Sequence, residues 1–171
     1  MRCFIAVDLP EKVKEEFRKI KIDRTIAEIS APDDYHLTLK FLKNINKNKL
    51  ERTKRNLERI KFKPFTINLD AVGYFPDTDY IQVAWIGVTP KSRVIKLKEN
   101  IDDALMDLFQ RDKRFIPHVT LYRIKAMRDK KKFKDLLNIN YEGHWKVSSF
   151  VLYESRIENG RHKHYALKEY S

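Results

Sequence analysis

A single cysteine, Cys3, occurs in 171 residues, and glutamine occurs only twice. The first scarcity excludes an internal disulfide and fits a reducing compartment, so a cytoplasmic protein is expected. The second leans toward the Lys/Glu-rich solvated surface common in thermophiles. No apolar run approaches the roughly 20 residues of a membrane-spanning helix. The opening MRCFIAVDLP is too short and turns acidic too soon for a signal peptide, and reads instead as a first strand. No low-complexity linker divides the chain, which leaves one domain or two small lobes around a shared core.

Charge, by contrast, is plentiful and unbalanced. Lysine and arginine number 36 against 24 aspartates and glutamates, a net charge of +12. Such an excess attracts polyanions and is the usual footprint of nucleic-acid contact; a merely solvated basic surface is the competing explanation. Hydrophobic residues make up 42%, enough to exclude a disordered tail.

Along the chain, strand-like and helix-like stretches alternate. RCFIAVD, YHLTLKFL, FTINLDAVGYF, YIQVAWIGV, FIPHVTLYRI, HWKVSSFVLYES and HKHYALKEY read as strands. PEKVKEEFRKI, NKNKLERTKRNLERI, SRVIKLKENIDDALMDLF and RDKKKFKDLLN carry apolar residues at helical spacing. Turns are expected at Asp77–Asp79 and at Asn159–Gly160. The two halves, approximately 1–78 and 79–171, share one order: strand, helix, HxTL strand, helix, strand. His36 and His118 stand 82 residues apart, as do Phe65 and Val147, so the halves read as a duplicated unit. The predicted fold is α+β: two similar lobes about a pseudo-two-fold axis, each a mostly antiparallel sheet with flanking helices, with a cleft between them.

The repeated tetrapeptide explains what the cleft is for. Side chains alternate along a strand, so His36 and Thr38 share one face in HLTL while Leu37, Leu39 and Phe41 share the other. His118 and Thr120 share a face in HVTL, opposite Val119 and Leu121. If the halves face each other, two imidazoles and two hydroxyls converge. One imidazole can accept a proton from water while the other, protonated, donates to a leaving oxygen on the far side of a phosphorus atom. The hydroxyls can donate to the non-bridging oxygens, where charge develops. This scheme needs no metal. A lone histidine in a strand is usually just packed, and a lone threonine reflects β-propensity. Recurrence in register, in both halves, is what separates this pair from chance.

HLTLKFL and PHVTLYRIK, with FIAVDLP before them, GYFP between and VSSFVLYES after, resemble the 2H phosphoesterase superfamily, and within it the RNA 2′,3′-cyclic phosphodiesterases, also called 2′–5′ RNA ligases. The resemblance spans nearly the whole chain, and the paired HxTx motifs are its most specific part. It implies a bilobal fold, no cofactor, no metal, and hydrolysis of an RNA 2′,3′-cyclic phosphate end, or of a cyclic nucleotide, to a 2′-phosphate. It implies further that His36 is the proton donor and His118 the acceptor, with Thr38 and Thr120 binding phosphate; the motifs themselves, being near-symmetric, leave that choice open. One departure is Lys43, where relatives usually place glycine.

Other side chains compete for roles. Strict alternation puts Lys40 and Tyr122 on the His/Thr faces, with Lys40 as a phosphate attractor. It points Arg123 away, unless the strand bulges, in which case Arg123 binds phosphate bidentately. Phe75 and Tyr35, with Tyr74 and Trp85, are aromatic platforms for a terminal base or simply core. His162 and His164 in HKH lack a third ligand at useful spacing and read as a surface hairpin rather than a metal pair. His144 reads as structural or exposed, Cys3 as a small buried apolar group, and the basic RDKKKFK helix as a solvated face with a capacity to steer RNA. The leading expectation is a monomeric metal-independent phosphodiesterase, with no membrane partner. Reverse 2′–5′ joining through the same site, and a non-catalytic RNA-end-binding module, are the alternatives.

Overall fold

The computed structural model describes the whole chain, Met1–Ser171. In order the elements are β1 (Arg2–Asp8), α1 (Glu11–Arg18), β2 (Ala27–Ser30), β3 (His36–Asn44), α2 (Lys47–Leu57), β4 (Phe65–Pro76), β5 (Ile81–Thr89), α3 (Lys91–Ala104), β6 (His118–Met127), α4 (Lys130–Leu137), β7 (His144–Val147), β8 (Phe150–Glu158) and β9 (Arg161–Tyr170). Local chemistry sets several boundaries. The Asn46 and Asp129 side chains accept from the backbone N–H of Lys49 and Lys132, capping α2 and α4. Pro10 and Pro90 occupy the equivalent places before α1 and α3, one residue earlier than the expected first-turn position of Pro10. Asn159 and Gly160, with φ of 50° and 74°, make the left-handed turn between β8 and β9.

One sheet runs β7-β4-β5-β6-β3-β1-β8-β9, with β2 added against β6, and every pairing is antiparallel. Four helices contribute one apolar face each to a core of 36 buried residues, among them Phe17 of α1, Leu57 of α2, Ile101 of α3 and Phe133 of α4. Nothing about residues 22–31 had marked β2 as a strand: Ala27 and Ile29 alternate with Glu28 over only four residues, below the length at which periodicity speaks.

The two HxTL strands sit together at the centre of the sheet. β3 and β6 meet at one residue pair, Leu37 with Val119, themselves 82 apart. Val7 pairs with Leu37 on one side and Ile86 with Val119 on the other. The terminal strands of the two halves are exchanged: β4 pairs with β5, and β8 pairs with β1. Each lobe therefore contains strands from both halves, and the lobes do not coincide with the sequence repeats. Phe65 and Val147, the other pair at that offset, become cross-strand partners.

Candidate active site

The His/Thr faces of β3 and β6 open into one cleft of about 1310 Å³, lined by His36, Thr38, His118 and Thr120 together. The intervening Leu37, Leu39, Val119 and Leu121 are buried in the core. Hydrocarbon on one face thus holds the four polar side chains on the other.

Strict alternation fails immediately afterwards, at equivalent points. Ala6 pairs with Thr38 but Ile5 with Lys40; Trp85 pairs with Thr120 but Ala84 with Tyr122. Each strand carries one extra residue there, a β-bulge that turns the following side chains over. Lys40 and Tyr122 therefore point inward, contrary to expectation. Lys40 is 3% exposed, and its ammonium donates to Asp102 Oδ1 at 2.7 Å, the Gln110 carbonyl at 2.9 Å and Asp112 Oδ2 at 3.4 Å. All three N–H groups are thereby satisfied, which is what makes a buried ammonium tolerable. Tyr122 donates its hydroxyl to the Ile20 carbonyl at 3.0 Å. The same bulges bring Phe41 and Arg123 out to line the cleft, Phe41 being 60% exposed rather than part of the core face.

The aromatic platforms are placed differently from expectation. Tyr35 is buried and packs edge-on against Phe17, with ring centroids 5.0 Å apart. Phe75 packs at 4.9 Å from Trp85 and edge-on at 5.1 Å from His118, so it supports a histidine instead of offering a face to the cleft. Trp85 lies directly over Gly73, where a Cβ would come within 2.2 Å of the indole. Glycine at 73 is therefore required by the indole beside His118.

The two imidazoles have unlike neighbours. Burial lowers the pKa of His36; Asp34 and Asp8 offset this only in part against the further downward pull of His164 and Lys14, and the ring stays below the ordinary imidazole value. Its Nε2 lies 3.6 Å from Asp34 Oδ2 and 3.8 Å from Asp8 Oδ1. Asp8 accepts the Tyr153 hydroxyl proton, and Asp34 is held by Lys14 at 2.6 Å. Burial pushes the Asp34 carboxyl up, but Lys14 and His36 more than offset this and leave it below the ordinary range. His118 has no carboxylate beside it. Burial lowers its pKa, the hydrogen bond to Ile116 raises it, and the Arg123 cation lowers it. Its Nδ1 stands 2.6 Å from the Ile116 carbonyl oxygen. A carbonyl only accepts, so Nδ1 carries the proton and the neutral ring presents Nε2 as a free lone pair.

Two further imidazoles enter the cleft, contrary to expectation. His164 and His162 of β9 both line it, and the His164 ring centroid is 5.2 Å from that of His36. Alternation along HKH placed the two on one face; only the exchange that sets β8 beside β1 shows that this face meets His36. The basic RDKKKFK segment forms α4, with Phe133 and Leu137 inward. His144 is exposed on β7, and Cys3 is 1% exposed, its thiol pushed up to about 11 by burial. No helix is long and apolar enough to cross a membrane.

Comparison with known proteins finds relatives of the same overall fold. A family model described as LigT like Phosphoesterase matches residues 7–85. The RNA 2′,3′-cyclic phosphodiesterase of Methanocaldococcus jannaschii is 32% identical over 164 residues, covering 92% of each chain. Escherichia coli LigT complexed with 3′-AMP superposes with a TM-score of 0.78 at 29% identity, over 98% of this chain and 95% of that one. TT0787 of Thermus thermophilus gives 0.80 at 25% identity, over 99% and 96%.

Proposed function

Because the chain belongs to the LigT-like phosphoesterase family, we propose that it is an RNA 2′,3′-cyclic phosphodiesterase that opens the cyclic phosphate to a 2′-phosphate without a metal. The observation that carries this reading is the pairing of two motif histidines in one cleft with opposite surroundings. His36, beside two carboxylates, is suited to hold a proton and deliver it to the leaving 3′ oxygen. His118, its Nδ1–H fixed on Ile116, is suited to take a proton from the attacking water at Nε2. In-line attack puts water and leaving oxygen on opposite sides of phosphorus, which matches two bases on two strands. The Thr38 and Thr120 hydroxyls, with the Arg123 guanidinium, donate to the non-bridging oxygens as charge builds there. Both proton transfers are then accounted for by side chains.

The same site run backwards joins a cyclic end to a 5′-hydroxyl as a 2′–5′ linkage. Water at about 55 M competes as nucleophile, so hydrolysis dominates unless two ends are held together. The decisive experiment incubates the protein with 2′,3′-cyclic AMP in EDTA and identifies the product. 2′-AMP at an undiminished rate is expected. 3′-AMP would reverse the leaving oxygen, loss of rate in EDTA would indicate a metal, and binding without turnover would favour a non-catalytic RNA-end module.

A further inference from the structure

His164 lies 5.2 Å, centroid to centroid, from the proposed acid His36. Three rings surround it: Phe4 at 4.8 Å, His36 at 5.2 Å and Tyr153 at 6.4 Å. With its neighbours already aromatic, what it has to offer a ligand is its ring N–H rather than a stacking face. Burial and the nearby His162 lower its pKa, the Asp34 and Asp33 carboxylates raise it in part, and no hydrogen bond acts on it. His162, two residues earlier on the same face, has Nδ1 3.2 Å from Ser155 Oγ. Arg161, at the start of the strand, lies 3.8 Å from Asp33 and also lines the cleft. Two imidazoles and a guanidinium thus stand together on the β8–β9 hairpin, on the His36 side, outside the HxT quartet.

The stereochemistry of the reaction says what arrives there. If His36 protonates the leaving 3′ oxygen, the terminal ribose lies on the His36 side of phosphorus. The RNA chain continues from that ribose through its 5′ oxygen. We propose that His164, with His162 and Arg161, binds the phosphate on that 5′ oxygen, so that the cleft reads an RNA end through two successive phosphates. This deepens the proposed function and rests on it. The substrate class it selects is a cyclic end carrying a 5′-phosphoryl or phosphodiester group, in preference to a bare cyclic nucleoside phosphate. N–H donation to an anion shortens and strengthens a hydrogen bond, and one such contact corresponds to about tenfold in affinity.

Two probes isolate the effect: adenosine 2′,3′-cyclic phosphate and the same compound bearing a 5′-phosphate. The parent protein is expected to show a KM about tenfold lower for the 5′-phosphorylated probe. His164→Gln should shrink that advantage to about twofold or less, the loss appearing in KM rather than kcat. Equal KM values for the two probes in the parent protein would overturn the proposal without any variant. So would a His164→Gln protein that keeps the full ratio, or one that loses kcat equally on both, since the ring would then act only through His36. Failure of the parent protein to turn over either probe would instead sink the phosphodiesterase reading on which the proposal rests.

Discussion

His36 and His118 open two strands that meet at equivalent residues, yet their surroundings differ. The residue paired across from His36 is Asp8; across from His118 it is Gly87. Two residues before His36 stands Asp34, and two before His118 stands Ile116, which contributes only its carbonyl. Just past the bulges, Phe41 in one strand answers Arg123 in the other. The shared frame places two imidazoles in one cleft, and the few differences around them, two carboxylates beside one and a backbone carbonyl on the other, underlie the opposite roles proposed for them. Symmetry supplies position; its breaking supplies direction.

The widest test of that comparison removes each ring. His36→Ala and His118→Ala should each lower kcat on 2′,3′-cyclic AMP by about 10²–10⁴-fold with the circular dichroism spectrum unchanged. A substrate whose leaving group needs no proton should restore much of the His36→Ala loss and none of the His118→Ala loss. Rescue in the reverse pattern would exchange the two roles.

Next in size is the pair at the bulges. Arg123→Ala removes a charged donor from the cleft and should cost about 10–100-fold in kcat/KM. Phe41→Ala removes only an exposed ring, and a loss of a few-fold, confined to KM, is expected in steady-state assays. Equal losses would mean that the two bulges still serve equivalent purposes.

The pH profile sharpens the comparison further. In the proposed mechanism activity requires His36 protonated and His118 neutral, so it should fall on the alkaline side as His36 loses its proton and on the acid side as His118 gains one. Asp34→Asn removes the leading upward influence on His36 and leaves Lys14 unopposed nearby. Both changes lower the His36 pKa, and the alkaline limb should move to lower pH. Gly87→Asp tests the other half. A Cβ at Gly87 meets its nearest atom, the Ala71 carbonyl oxygen, at 3.5 Å, an ordinary contact, so a Cβ fits without displacing its neighbours. A carboxylate there raises the His118 pKa, and the acid limb should move to higher pH. Profiles of kcat/KM for the two variants check both signs, and an acid limb moved by Asp34→Asn instead would contradict the assignment.

How far the sequence carried depends on the scale of the feature. His36, Thr38, His118 and Thr120 share a face after two steps of alternation, and nothing intervenes between them to disturb it. Lys40, Phe41, Tyr122 and Arg123 lie one bulge further on. A bulge is a property of the strand pair, set by β1 and β5 as much as by β3 and β6, and one strand read alone does not contain it. Asp8 and His164 are further still from legibility. Asp8 reaches His36 through the β1–β3 register, and His164 through the exchange of terminal strands between lobes, each a long-range pairing with no local signature. Tyr35 shows the opposite limit: beside a motif in sequence, it is buried edge-on against Phe17 of α1 rather than turned to the cleft.

The smallest effect is predicted at the end of the first HxTL strand, at Lys43. Lys43 has φ of 59°, the left-handed region, at a second register shift between β1 and β3. That conformation costs a residue with a Cβ about 1–2 kcal/mol, a cost glycine would not carry. Glycine in turn loses about 0.5–1 kcal/mol more conformational freedom on folding. Lys43→Gly should therefore stabilise the protein by no more than about 1 kcal/mol in urea denaturation. Its cationic head also lines the cleft, so the same change should weaken RNA binding at low salt and leave a cyclic mononucleotide nearly untouched. A destabilised variant would mean that the lysine stem contributes more packing than the strained backbone costs; a stabilised one with undiminished RNA affinity would mean that Lys43 is there for neither reason.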